Sequence, residues 1–462
     1  MHPRSNYAAR DVAALLHPTT NLFTHRTQGP LILEKAEGVY VFDTQGKRYI
    51  EGLAGLWCTG LGYGNEEIAD AARAQMSKLS FSHLFGGRSH EPAVELAEKI
   101  KALAPCPTSK VFFTSSGSET NDSQIKLAWY YNNAIGRPKK KKIISRMRAY
   151  HGVTIATASL TGLPVFHADF DLPMAGVLHT DCPHHYRSIE PGETEAEFVA
   201  RLAANLETLI DREGADTIAA FIAEPIMGAG GVVVPPMTYF PKIQAILKQH
   251  DIAFIADEVI CGFGRTGNWW GSQTLGAEPT TISMAKGITS AYFPLGALTV
   301  PENVHDAMVE QSKKLGVFAH GFTYSGHPVG CAVALATIAI YERIDIVGHV
   351  RKVSPTFQQR LRALADHPLA GEARGLGLIG GLELVKDKRT RQSFDGKVGL
   401  GAKVVALAQE EGLICRSVAG DTIGLCPPLI ITDDEINAMF DALGKALDKA
   451  HAWLRAEGHL TT

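Results

Sequence analysis

Asp257 closes the apolar run "FIAD" and Lys286 closes the run "ISMAK". A carboxylate at the end of a buried strand needs a cation or a protonated group beside it. A lysine in such a place can lose its proton and act as a nucleophile. Upstream, "TSSGSET" (114–120) puts small hydroxyls and a glycine where a strand-like run gives way to a helix-like one. The free N–H groups and positive end of such a helix favour a phosphate. Each feature alone is ordinary: an N-cap, or one half of a structural ion pair. Together they meet the needs of pyridoxal phosphate. That cofactor takes a lysine for a Schiff base, an acid opposite its ring nitrogen, and an anchor for its phosphate.

The elements that must place these groups follow from the pattern around them. Short apolar runs at 110–116, 142–147, 217–225, 252–257, 280–286 and 295–300 alternate with helical stretches such as 238–250. This alternation predicts an α/β fold with a mostly parallel sheet covered by helices on both faces. Ligands of such sheets bind outside the carboxyl ends of the strands, where Asp257 and Lys286 fall. The large domain is expected over 57–330. Residues 331–462 read as a smaller α+β domain, with helices near 326–344, 349–366, 397–411 and 432–456 and strands near 375–385, 413–417 and 421–426. Residues 1–56, with a hairpin around Thr44–Gly46, are expected to pack with that smaller domain.

Composition narrows the functional classes. The chain has 462 residues, 45% hydrophobic and 20% charged, with a net charge of −3. That charge offers no global field for nucleic acid or anionic lipid. The run "KKKK" (139–142) reads as a solvated loop. No segment is apolar enough to span a bilayer, and "MHPRSNYAAR" has no signal-peptide core. Seven cysteines without a CxxC pair suit free thiols in a reducing cytoplasm.

The motifs "TSSGSETND", "AYHG", "AEPIMGAGG", "IADEVICGFGRTG", "SMAKGI", "HGFTYSGHPVG" and "RGLGLIGGLEL" resemble, in this order, those of the class III, fold type I aminotransferases. The resemblance covers nearly the whole chain. It implies Lys286 as the Schiff-base and proton-transfer lysine and Asp257 as the partner of the ring nitrogen. Val259 and Tyr150 would flank the ring, Ser116, Gly117 and Ser118 would hold the phosphate, and Glu224 would support the ring region. Thr323 would reach the phosphate of a neighbouring subunit, which implies a homodimer with shared sites, or a tetramer built from it.

Many relatives that use 2-oxoglutarate carry arginine directly after "HG", where this chain has Val153. That departure argues against 4-aminobutyrate, ornithine and acetylornithine. Arg416 instead matches the mobile arginine of the ω-amino acid:pyruvate and amine:pyruvate transaminases. Trp57 and Phe85 match their aromatic pocket walls, and Phe23 joins from the partner chain. The expected activity moves an amino group from an amine or ω-amino acid to pyruvate. The alternatives are a 2-oxoglutarate-dependent transaminase or a mutase on the same scaffold. A non-catalytic cofactor-binding protein fits poorly with an intact Lys286 and Asp257.

Two further signals are set aside. "GLGLIG" (375–380) fits a dinucleotide fingerprint only with a helix after it, and an apolar strand follows. "HTDCPHH" (179–185) lacks a second pair of ligands at regular spacing, so no metal is expected. His151 is expected to pack and hydrogen-bond, with Lys286 as the base.

Overall fold

The computed structural model describes residues 6–460, so the first five residues of the N-terminal segment and the last two of the C-terminal one lie outside it. Three sheets organise the chain. The first contains β1 (Leu33–Glu37), β2 (Tyr40–Asp43) and β3 (Arg48–Glu51), paired antiparallel in sequence order. The turn between β2 and β3 is the expected one. Asp43 Oδ1 accepts from the N–H groups of Gln45 and Lys47, both at 2.9 Å, and pins it.

The central sheet contains β4 (Lys110–Thr114), β5 (Lys142–Arg146), β6 (Val177–Thr180), β7 (Ile218–Ala223), β8 (Ala253–Asp257), β9 (Thr281–Met284) and β10 (Gly296–Val300). Their spatial order is β4-β10-β9-β8-β7-β5-β6. Strand β10 runs antiparallel to both of its neighbours, and the other pairs are parallel. Every residue of β7, "IAAFIA", is buried. A strand covered on both faces has no polar side to alternate with, so it reads as an unbroken apolar run. Helices Gly117–Ala134, Glu195–Glu213 and Tyr239–Gln249 pack on this sheet. Edge strand β6 was not expected. Its four residues, "VLHT", are mostly half-buried and too few for a period to show.

In the C-terminal region β11 (Ala370–Leu376), β12 (Ile379–Leu384), β14 (Arg416–Val418) and β15 (Thr422–Leu425) form an antiparallel sheet. β13 (Leu413–Ile414) pairs parallel with β3 instead. The single strand expected over 413–417 is therefore two strands, which part at buried Cys415 and enter different sheets. N- and C-terminal segments share the first sheet through this pairing. "GLGLIG" is the hairpin between β11 and β12, with Gly377 at φ 63° in its turn.

The lysine run is a correction. Lys140 is 5% exposed and donates to the Asp251 carbonyl at 2.5 Å. Lys141 Nζ donates to Asn133 Oδ1, and Lys142 lies in β5 and pairs with Glu213. Charge counting along the sequence could not see these partners, which come from other elements. No helix among the described residues is long and apolar enough to cross a membrane.

Candidate active site

The residues with chemical potential gather at the carboxyl edge of the central sheet. Asp257 is the last residue of β8, Glu224 follows β7 directly, and Lys286 lies just beyond β9. Ser116 caps the helix after β4, and Tyr150 lies in the loop after β5. A cavity of about 430 Å³ at the opposite, amino edge is lined by Asn132, Ala219, Leu247, Ala253 and Thr281, and by none of these residues.

The start of the helix Gly117–Ala134 is built as an anion cradle. Ser116 Oγ accepts from the Glu119 N–H at 3.2 Å, and Glu119 Oε2 accepts from the Ser115 N–H at 2.7 Å. These bonds hold the first turn while the N–H groups of Gly117 and Ser118 have no acceptor among the described residues. Val259 lies directly over it: a Cβ on Gly117 would come within 3.0 Å of the Val259 side chain. Gly152 and Val153 close the other side, where the Val153 N–H donates to Ser118 Oγ at 3.2 Å.

Asp257 is 4% exposed and fully engaged. Its Oδ2 accepts from Asn121 Nδ2 at 2.7 Å and lies 2.8 Å from His151 Nδ1, while Oδ1 accepts from the Val259 N–H at 3.2 Å. The carboxylate is therefore aimed by two side chains that sequence reasoning gave no such task. His151 had been expected only to pack and hydrogen-bond. Asn121 lies 136 residues from Asp257 along the chain, and nothing local announces the pairing. Glu224 is also buried, and its two oxygens accept from the N–H groups of Tyr150 and Gly228, each at 3.0 Å. It thus fixes the loop that carries Tyr150.

The Lys286 side chain has no hydrogen-bond or ion-pair partner among the described residues, while its carbonyl accepts from the Ala291 N–H at 3.4 Å. Burial lowers its pKa, against the opposing pull of Cys58, Asp257 and Glu224. Its backbone is left-handed, with φ 48°, as are Trp57 at 65°, Ser290 at 49° and Ala291 at 65°. Such conformations cost on the order of 1–3 kcal/mol each and persist where surrounding structure imposes them. Here the Leu61 N–H donates to Ser290 Oγ at 2.8 Å and ties the Lys286 turn to the segment after Trp57.

Arg416 and Trp57, expected on the substrate side, come together where the C-terminal sheet meets this edge. Arg416 pairs across the β14–β15 ladder with Gly424, and a Cβ at Gly424 would lie 3.2 Å from the Trp57 ring. Arg416 is partly buried and its guanidinium has no carboxylate partner among the described residues. It reaches the Tyr150 neighbourhood: burial raises the Tyr150 phenol above its ordinary range, and Arg416 opposes that rise. Phe85, Thr323 and Phe23 are not brought into this cluster within one chain. Phe85 is 49% and Phe23 80% exposed. Phe85 packs on Gly321, in the same exposed loop as Thr323.

Comparison with known proteins places this arrangement. Residues 23–447 match the family model described as aminotransferase class-III. The chain is a class III aminotransferase. A "Gamma aminobutyrate transaminase 1, mitochondrial" of Solanum lycopersicum is 52% identical over 434 residues, 94% of this aminotransferase and 84% of that protein. A namesake from Oryza sativa subsp. indica is also 52% identical, with the same coverage. Among solved structures, the omega transaminase from Pseudomonas jessenii in complex with PMP superposes with a TM-score of 0.95 at 49% identity, covering 97% of this chain and 98% of that one. A "Transaminase with L-ala" reaches 0.90 at 54% identity, covering 92% and 100%.

Class III aminotransferases use pyridoxal 5'-phosphate, and the residues of this aminotransferase fit it. The cradle offers two unpaired N–H groups, Asp257 offers a braced negative charge, and Lys286 offers an unpaired amine. Gly152 marks how close the packing is. At φ 135°, a Cβ there would meet Ser118 Oγ and Thr157 Oγ1 at 2.6 Å. Gly152→Ala should therefore displace Ser118 and weaken cofactor retention at least about tenfold, since roughly 1–3 kcal/mol of backbone strain adds to the clash. Equilibrium dialysis of the cofactor measures this; unchanged retention would mean that Ser118 takes no part in the cradle.

Proposed function

We propose that this aminotransferase moves an amino group from an amine or ω-amino acid to pyruvate. The observation that carries the reading is Arg416: a partly buried guanidinium without a partner, across from Trp57 and beside Tyr150. Such a group can take a carboxylate bidentately, and the Trp57 ring offers an apolar wall to an amine. A thermostable omega transaminase engineered for synthesis of bulky amines carries substitutions at a tryptophan, a phenylalanine and an arginine. Trp57, Phe85 and Arg416 are the same residue types in the same order, with the same spacings of 28 and 331 residues.

Pyridoxal phosphate supplies an aldehyde that condenses with amines and a ring that accepts an electron pair from the substrate carbon. Lys286 Nζ, whose pKa its burial lowers, would be the amine that holds the cofactor and the base that moves the proton at the substrate carbon. Asp257, braced by Asn121 and His151, would offer its carboxylate to the ring nitrogen. Ser116, Gly117 and Ser118 bind the phosphate, and Val259 and Tyr150 confine the ring. Glu224 positions Tyr150 through its N–H.

The working unit we infer is a homodimer. Leu56, Phe81, Phe85, Val153 and Tyr324 are large, exposed apolar residues, and the Phe81 and Tyr324 rings are 5.9 Å apart. An exposed apolar patch of this kind fits a partner surface. Covering it would also supply Thr323 and Phe23 to a neighbouring site. None of the seven cysteines is bridged, which supports a reducing, cytoplasmic setting.

A second reading has its own support, because the curated relatives are named for 4-aminobutyrate. That compound is an ω-amino acid, and Arg416 can hold its carboxylate as it holds pyruvate's. Those names run against the expectation drawn from Val153. Val153 bears more directly on 2-oxoglutarate, whose second carboxylate needs a second cation. Arg416→Ala tests the carboxylate contact on which both readings rest, and the activity of the parent with 4-aminobutyrate against an aryl-alkyl amine separates the donors. Losing a charged hydrogen-bond partner costs about 2–3 kcal/mol, so kcat/KM for pyruvate should fall roughly thirty- to over a hundredfold. An aryl-alkyl amine without a carboxylate should change far less. Each half-reaction is followed separately by cofactor absorbance. Equal losses would assign Arg416 to the fold, and no loss for pyruvate would sink the pyruvate reading.

A further inference from the structure

We propose that Asp11, His17 and His25 form a binding site for a divalent transition-metal ion of the zinc class, which clasps the N-terminal arm. Asp11 lies on the helix Tyr7–Ala14, His25 on the helix Leu22–Gln28, and His17 in the link between them. Nε2 of His17 lies 2.8 Å, and Nε2 of His25 3.2 Å, from the same oxygen, Asp11 Oδ1. The two imidazole rings face each other with centroids 4.2 Å apart. All three ligand atoms lie within 4.8 Å of one another. A tetrahedral ion with bonds of about 2.0–2.1 Å spaces its ligand atoms roughly 3.3–3.4 Å apart. The two Nε2–Oδ1 pairs would open from 2.8 and 3.2 Å to reach that spacing, and the two imidazole nitrogens, within 4.8 Å of each other, would adjust with them.

The ligand chemistry selects the ion. Two imidazoles and one carboxylate, with positions left for water, suit zinc, cobalt or nickel. Calcium and magnesium prefer all-oxygen sites and are disfavoured. The side chains of Asp11 and His25 are 12% and 8% exposed, and that of His17 is 28%. The site is thus shielded on the protein side and open to solvent through His17. A second carboxylate–imidazole cluster, His184 with Glu372 and Glu383, lacks this potential. There the Arg374 guanidinium already bridges both carboxylates at 2.5 Å, and its positive charge stands where the ion would. At Asp11 no arginine or lysine competes among the described residues. The ion would join the two helices of the arm, and Phe23 sits on the second of them, one short helix with His25.

The test uses the cofactor-loaded enzyme, stripped of metal with a chelator and dialysed. Zinc is titrated by calorimetry, and melting is followed with and without it. We expect one strong equivalent per chain and a raised melting temperature. Both should be lost in the His17→Ala/His25→Ala double variant, with affinity at least about a hundredfold weaker, because removing a ligand exceeds the effect of removing its outer support. Cofactor content and circular dichroism of the variant report its folding. If it does not fold, Asp11→Asn, which keeps the shape and removes the charge, is titrated in its place and should show the same loss. Absence of a strong equivalent in the parent, or one that survives these substitutions, overturns the proposal.

Discussion

Lys286→Ala should abolish turnover while leaving the cofactor bound. The side-chain amine of Lys286 is unpaired among the described residues, and burial lowers its pKa, which favours the nucleophilic form. Nothing else is placed to replace it. The groups that act on it electrostatically are the thiols Cys58 and Cys426 and the carboxylates Asp257 and Glu224. The acids are engaged by hydrogen bonds, and burial pushes the Cys58 thiol up. Loss of a positioned general base alone costs up to about ten-thousand-fold in rate, and loss of the covalent anchor adds to it. The cradle at Ser116–Ser118 and the Asp257 carboxylate remain, so the cofactor should still co-purify or rebind. Borohydride treatment followed by mass spectrometry should then find no cofactor fixed to the chain. Substantial residual turnover, or cofactor fixed at another lysine, would remove Lys286 from its assigned place.

Asp257→Asn should lower kcat by roughly a hundred- to a thousandfold, the range for removing one electrostatic contact to a charged transition state. The substitution keeps the shape, and Asn121 and His151 still surround the site. It removes the negative charge that those two residues aim toward the ring. Cofactor retention should change less, since the phosphate cradle is untouched; a charge-assisted hydrogen bond is worth about 1.5–3 kcal/mol. A steady-state kcat equal to that of the parent would show that Asp257 serves the strand end and not the ring. His151→Ala distinguishes positioning from contact: it should lower kcat by less than Asp257→Asn does, and the loss should be smaller in His151→Asn, which can still donate to the carboxylate.

The comparison between the two levels is clearest at particular residues. Strands β7 and β8 were legible because both of their faces are covered, so their apolar runs are nearly unbroken and end sharply at Glu224 and Asp257; β9, fully buried though Thr281 and Ser283 interrupt it, ends two residues before Lys286. Strand β6 was not, because four edge residues, three of them half-buried, carry no pattern. The break at Cys415 was also invisible, since "LICRSV" reads as one strand and only the positions of β3 and β15 divide it between two sheets. The lysine run looked solvated because its partners Asp251, Asn133 and Glu213 belong to other segments.

Short-range order by itself determined which groups stand at strand ends and helix starts: Asp257, Lys286, and the Ser116–Ser118 turn. Backbone period and capping are local, so the sequence carries them directly. What only the tertiary structure decided is convergence. Asn121 and His151 meet at one oxygen of Asp257, Arg416 comes within electrostatic reach of Tyr150 and pairs with Gly424 beside Trp57, and two histidines turn to one oxygen of Asp11. Those meetings depend on how helices and sheets pack against one another, and a side chain's partners across such a contact leave no trace in its neighbours along the chain.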